Sequence, residues 1–274
     1  MKTRIITGIF LAVFILLPAI VFSHTFVLTL IASALSCIGV YEIVKCFGQR
    51  DNTVILIPSM VLGLCLPSLA RYTFSGNGML SMSVLSLVYI FFMFSIPVFT
   101  SNRITFDDIA KTAVMSIYIS VGFSSVILLR DLPDGQYLFI LVFIGAWITD
   151  IFAYFSGMLF GRHKLSPVIS PKKTIEGSIG GILLCTLSFA AYGFILSTYF
   201  NADANFIMYG ILGFFASLVS QLGDLITSAI KRDHNTKDYG TIFPGHGGVL
   251  DRFDSIIAVA PVLYILCYSI TTLF

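Results

Sequence analysis

The sequence predicts an all-α fold: a polytopic integral membrane protein with about nine transmembrane helices. Three observations predict it. Of the 274 residues, 57% are hydrophobic and 11% charged, with a mean hydropathy of +0.95, whereas soluble domains run at roughly 45–50% apolar and about 25% charged. The apolar residues gather into runs that approach or exceed the about 20 residues needed to cross a bilayer. Lys and Arg fall almost wholly into alternate connections between those runs, as the positive-inside rule demands.

Taken in order, the first run covers roughly residues 5–22. The preceding MKTR gives it the charge order of a signal peptide, but its about 18 apolar residues and the second run that follows almost at once favour a retained span. The next runs cover roughly 25–46 and 53–70, the latter the weakest because Pro58 and Pro67 interrupt it. Five more follow at roughly 79–99, 110–129, 137–160, 178–200 and 206–230, and the last at 253–274. Without an internal repeat, low-complexity tract or soluble segment, residues 1–274 read as one integral membrane domain. Its N-terminal helices occupy 1–136, and its C-terminal helices, 137–274, carry the candidate site. With the N-terminus inside, all of the 16 Lys+Arg except Arg71 and Arg130 lie on the inner side. That set includes Lys2, Arg4, Lys45, Arg50, Arg103 and Lys111, and the two largest inner loops are 161–177 and 231–252.

The net charge of +2 is too small for a nucleic-acid-binding face, so no nucleic-acid partner is expected. Cys37, Cys46, Cys65, Cys185 and Cys267 show neither CxxC nor Cys/His metal spacing and read as small buried hydrophobes.

Acidic groups inside apolar runs are costly and usually face a cavity or a partner. Two lie well inside: Asp150 and Asp224. Ser217, Gln221, Asp224, Ser228 and Lys231 follow one another at spacings of 4, 3, 4 and 3, which places them on one helical face. Hydroxyls and amides on such a face can simply join helices. A carboxylate that leads on to Lys231 and Arg232 reads instead as a polar path to the cytoplasm. Asp224 is about 10 Å from Lys231 along the helix, close to headgroup depth. Trp147, Asp150, Tyr154, Gly157 and Gly161 share a second face, where Asp150 is open to either a site role or a support role.

The stretch KRDHNTKDYGTIFPGHGGVLDRFDS, residues 231–255, concentrates the charge of this greasy chain. Asp251 and Asp254 are separated by one helical turn and would project from one face at the start of the last span. With Asp224 they offer three carboxylates beside Lys231, Arg232 and Arg252, a hard-cation site next to phosphate-binding groups. Magnesium takes oxygen ligands, typically one or two carboxylates plus substrate phosphates and water. Zinc fits poorly, because His234 and His246 are far apart in sequence and no cysteine is near. Pro-Gly-His-Gly-Gly around His246 is either a turn or a phosphate cradle, since its glycines allow backbone shapes denied to other residues. In the other inner loop, Ser170, Lys172, Lys173 and Thr174 read equally as phosphate contacts and as a topology or lipid-contact signal.

These residues carry a resemblance. Ser228, Lys231, Arg232, Lys237, Asp238, Pro244, Gly245, His246, Gly247, Gly248, Asp251, Arg252 and Asp254 match the C-terminal signature of the phosphatidate cytidylyltransferase (CDP-diglyceride synthase) family at every position. The stretch from Asp150 through Tyr154, Gly157, Gly161, Lys164 and Leu165 to Ser170, Pro171, Lys173, Thr174, Glu176 and Gly177 is also similar to that family. The resemblance implies magnesium-dependent transfer of CMP from CTP to phosphatidate, giving CDP-diacylglycerol and pyrophosphate at the cytoplasmic face of a cell inner membrane. It further implies a homodimer embedded in membrane lipid. Asp224, Lys231, Asp251 and Asp254 are then the catalytic candidates, with the three aspartates as magnesium ligands. Ser170, Lys172, Lys173, Thr174, Ser228, Arg232, His246 and Arg252 are the substrate-binding candidates.

The chemistry fits on its own terms. A phosphate monoester with a second pKa of about 6 is largely a dianion at neutral pH and needs no base. The obstacle is repulsion between that anion and a triphosphate, which metal ions and cationic side chains relieve. No Walker pattern or Ser-His-Asp spacing supports an ATPase or an acyl hydrolase. A transporter would carry polar groups toward both membrane faces, and here the charge is gathered at one. A related CTP-dependent enzyme acting on another lipid, such as a polyprenol, is the alternative.

Overall fold

The computed structural model describes residues 12–72, 78–100, 104–200 and 204–273. Lys2, Arg4, Arg103 and the first part of the earliest expected span lie outside the described residues. The remainder of that span forms a π-helical turn, Ala12–Leu16, and a short helix α1, Leu17–Val21. Then follow α2 (Phe26–Cys46), α3 (Thr53–Ala70), α4 (Gly78–Phe99), α5 (Phe106–Asp131), the single turn α6 (Gly135–Leu138) and α7 (Ile140–Phe160). An antiparallel hairpin, β1 (Lys164–Ser166) and β2 (Ser170–Thr174), leads into α8 (Ile175–Tyr199), α9 (Phe206–Asp233) and α10 (Leu250–Leu273).

Among the described residues, seven helices are long and apolar enough to cross a membrane: α2, α3, α4, α5, the α6–α7 stretch, α8 and α9. The fold is the expected all-α polytopic membrane protein, but the count of nine is not reached among them. α10 fills the last expected run, with Asp251, Arg252 and Asp254 at its start. α3 continues through Pro58 and Pro67, because inside a helix bundle neighbouring groups take up the backbone positions that proline disturbs. Helix starts are set locally. Thr25, Thr105 and Thr174 each accept a backbone N–H at the N-terminus of α2, α5 and α8 through their side-chain oxygens.

The chain divides into two compact units. The first comprises Met1–Gln136 and Asp233–Phe253. In it α2, α3 and α5 pack on one another, and α4 packs on α3 and α5. α4 turns a row of large apolar side chains outward, Phe91 at 80% and Phe99 at 85% exposure among them, as a lipid-facing helix does. Thr112, Ser116, Ser120 and Ser124 form a buried stripe along α5. Thr112, Ser120 and Ser124 donate to the carbonyl four residues earlier, which keeps those hydroxyls satisfied in an apolar interior. Arg71 pairs with Asp131 and also donates to the Ser23 and Thr25 carbonyls, while Arg130 Nε donates to Ser23 Oγ. The two arginines expected outside therefore meet at one end of this unit, where α2 starts and α3 and α5 stop.

The second unit comprises Tyr137–Arg232 and Asp254–Phe274. In it α7 packs along α8. A Cβ at Gly177 would stand 2.6 Å from the Ala153 carbonyl oxygen and 2.9 Å from Thr174 Oγ1, so the helices cross with no room for a side chain there. The hairpin caps this crossing, and Arg232 Nε, at the end of α9, donates to the Ile169 carbonyl at 3.4 Å.

Candidate functional site

In the second unit, α7, the β1–β2 hairpin, α8 and α9 line a partly open cavity of ≈ 350 Å³ with mostly apolar walls. Its charged lining comes from Asp150, Lys172, Lys173 and Asp224, with Tyr154 and Gln221 beside them. Helix α9 delivers Asp224 through the period read from the sequence. Strand β2 delivers Lys173 just before Thr174 caps α8 by accepting from Gly177 N at 3.1 Å. Lys173 Nζ pairs with Asp224 Oδ2, and Ser228 Oγ donates to Asp224 Oδ1 at 3.4 Å. Gln221 Nε2 donates to the Ser178 carbonyl at 3.2 Å, which ties the same face of α9 to α8.

Asp254 belongs to this unit as well. Its Oδ1 accepts from Ser255 N at 2.8 Å, and its Oδ2 is 3.2 Å from Thr227 Oγ1. That hydroxyl is also within reach of the Asp224 carbonyl, at 3.1 Å, so Thr227 links the Asp224 turn to Asp254. Thr227 was not among the residues expected from sequence. Its signal was weak, since a single threonine three residues after Asp224 also reads as helix-to-helix glue.

The first unit holds the loop of residues 233–250. It surrounds an open cavity of ≈ 520 Å³ whose lining includes Lys237, Asp238, Thr241, His246 and Arg252. The loop is built around Asp251, whose Oδ2 accepts from Tyr239 N at 2.8 Å and Gly248 N at 2.9 Å. Arg252 Nε donates to the His246 carbonyl at 2.8 Å. Within the Pro-Gly-His-Gly-Gly turn, Phe243 N donates to the Gly247 carbonyl and His246 N to the Phe243 carbonyl. Gly245 and Gly247 hold φ of 79° and 85°, the left-handed region that glycine tolerates.

The twelve residues expected from sequence thus fall into two groups. Ser170, Lys172, Lys173, Thr174, Asp224, Ser228, Lys231, Arg232 and Asp254 lie in the second unit, and His246, Asp251 and Arg252 in the first. Thr174 and Asp251 have structural work in addition: one caps a helix and the other organises a loop. Ser170 opens β2 opposite Ser166. Sequence reasoning missed Glu42, a carboxylate of α2 that is 1% exposed and accepts from Val249 N at 3.0 Å and Leu250 N at 2.9 Å. The available signal was an acid within an apolar run.

Among the described residues, no group of three or more His, Cys, Asp or Glu side chains is arranged to hold a metal ion. The second unit nevertheless offers the donors that magnesium takes. Asp224 and Asp254 carry carboxylate oxygens, the former paired with Lys173, and magnesium takes one or two carboxylates with phosphates and water in its other positions. Neither sulfur nor imidazole belongs to that set, which suits a hard cation better than zinc.

The comparisons with known proteins extend over nearly the whole chain. Residues 2–270 match the sequence profile of the cytidylyltransferase family. A phosphatidate cytidylyltransferase of Staphylococcus haemolyticus is 36% identical over 267 residues, covering 97% of this chain and 98% of the relative. One from Bacillus subtilis is 34% identical over 279 residues, covering 97% of each chain. Another, from Staphylococcus saprophyticus, is 33% identical over 271 residues, covering 98% of this chain and 100% of the relative. With the profile matched almost end to end and relatives aligned along their full length, this chain belongs to the cytidylyltransferase family.

Proposed function

We propose that this chain is a phosphatidate cytidylyltransferase that transfers CMP from CTP to phosphatidate and releases pyrophosphate. The observation that carries the reading is the second unit's cavity. It is apolar walled, framed by helices long enough to span a bilayer, and furnished with Lys172, Lys173 and the Lys173–Asp224 pair. Such a site suits a substrate whose acyl chains stay in hydrocarbon while its phosphate meets fixed cations.

In the reaction a phosphate oxygen of phosphatidate attacks the α-phosphorus of CTP. The new P–O bond forms as the bond to the β-phosphate bridging oxygen breaks, and the electron pair leaves on pyrophosphate. The attacking group is already an anion, so the chain supplies no base. Lys172 and Lys173 hold and neutralise phosphate. The Asp224 carboxylate, through its pairing with Lys173, fixes where that ammonium points. Asp251 folds the 239–248 loop by accepting two of its amides, and Lys237, His246 and Arg252 line the open cavity of that loop. Asp224 and Asp254 would hold magnesium, whose charge offsets the repulsion between reactant phosphates.

The site faces the cytoplasm of a bacterial inner membrane in this reading. Within the first unit the charged loop lies at the end of α2 opposite the Arg71, Arg130 and Asp131 cluster, with Cys46 Sγ 3.7 Å from Thr236 Oγ1. We propose a homodimer as the working form, which rests on the family resemblance. The test is an assay of purified protein with CTP, magnesium and either phosphatidate or a polyprenol. The reading expects CDP-diacylglycerol and one pyrophosphate per turnover with phosphatidate. Product from the alcohol acceptor alone would replace it with the other lipid class.

A further inference from the structure

Glu42 is a nearly fully buried carboxylate in the half of the chain that carries none of the residues expected to act on substrate. A buried carboxylate is costly unless it is hydrogen bonded, and here each oxygen is used. Oε1 accepts from Val249 N and Oε2 from Leu250 N. These are the amides just before Asp251, at the start of α10. Asp251 in turn accepts from Tyr239 N and Gly248 N, so one chain of hydrogen bonds runs from α2 into the turn that frames the loop cavity.

The glycines of the loop point the same way. Gly245 and Gly247 are accounted for by positive φ, but Gly240 and Gly248 do not have it. What excludes a side chain from these two positions is Glu42. A Cβ on Gly240 would come within 2.3 Å of Oε1, and one on Gly248 within 2.3 Å of Oε1 and 2.5 Å of Oε2. Two glycines on opposite limbs of the loop therefore close over one carboxylate. The C-terminal end of α2 adds contacts to the same loop, with the Phe47 ring 4.9 Å from the His234 ring.

We propose that Glu42 is a positioning residue for nucleotide binding: it holds the 249–250 limb of the loop by two hydrogen bonds, packs against Gly240 of the other limb, and so fixes the cavity of Lys237, His246 and Arg252 that receives the triphosphate. This rests on the cytidylyltransferase reading. The clamp requires two acceptor oxygens, because both partners are N–H donors. Glu42→Gln replaces one oxygen with an NH₂ that faces a donor and breaks half of it.

The test uses full-length protein in detergent micelles, with KM measured separately for CTP and for phosphatidate. Glu42→Gln is expected to raise the KM for CTP about tenfold while leaving that for phosphatidate within about twofold. A second test avoids dependence on that variant's folding. Gly248→Ala should reproduce the CTP defect, and shortening the acid in Glu42→Asp/Gly248→Ala should recover part of it by making room for the methyl. Unchanged constants in Glu42→Gln, an equal rise for both substrates, or a double variant worse than Gly248→Ala would each overturn the proposal. Wild-type protein that transfers no CMP would instead sink the functional reading on which it rests.

Discussion

At the scale of single residues, charges are placed in pairs. Lys173 and Asp224 are joined across β2 and α9 within a mostly apolar cavity. Lys173→Ala removes the cation paired with the Asp224 carboxylate and, in the proposed reaction, a phosphate contact. It is expected to lower kcat/KM about tenfold or more, a loss of about 1.4 kcal/mol in transition-state stabilisation; unchanged constants would leave the lysine as a topology signal. Asp251 shapes the loop through the amides it accepts. Asn at that position keeps an oxygen for the Tyr239 and Gly248 amides, so Asp251→Asn should keep CTP binding. Asp251→Ala should lose it, and equilibrium binding of a non-hydrolysable CTP analogue distinguishes them. The sequence made Asp224 and Lys173 legible as candidates through helical spacing and local charge. It could not reveal that they pair, because their elements are separated by the whole of α8. Asp251 was legible as an acid at a helix start, but its acceptance of two loop amides leaves no pattern in a sequence. Glu42 lies one turn from the end of its apolar run, next to Lys45, where an acid reads as an interfacial charge.

At the scale of elements, the long helices were the most legible part. Runs of apolar residues set α2 to α5 and α7 to α10 within a few residues, because a bilayer imposes length and every backbone group must be satisfied within the helix. The β1–β2 hairpin was not legible. Its strands are three and five residues long and polar, so they carry neither apolar alternation nor a two-residue turn signal. In sequence it reads only as an inner loop, yet it is the element that presents Lys172 and Lys173. Its junction with α8 depends on Thr174, whose Oγ1 accepts from Gly177 N, while Glu176 accepts from the Arg162 and His163 amides. Thr174→Ala should cost about 1 kcal/mol through the lost cap, and Thr174→Ser should restore it. Thermal unfolding in detergent checks both, and a Thr174→Ala protein of wild-type stability would remove the capping role.

At the scale of the whole molecule, composition alone was enough to establish a multi-pass membrane protein, and the placement of Lys and Arg to propose its orientation. Within the first unit a charged loop lies at one end of α2 and the Arg71–Asp131 cluster at the other. A multi-pass membrane chain can hold a lipid substrate in the bilayer while a water-soluble one reaches it from an aqueous side. CMP transfer has an isotopic signature that no phosphotransfer shares. With phosphatidate as acceptor and CTP labelled in either the α- or the γ-phosphate, the account predicts α-label in the lipid product and γ-label wholly in pyrophosphate. Label from the γ-position in lipid, or none from the α-position, would contradict it.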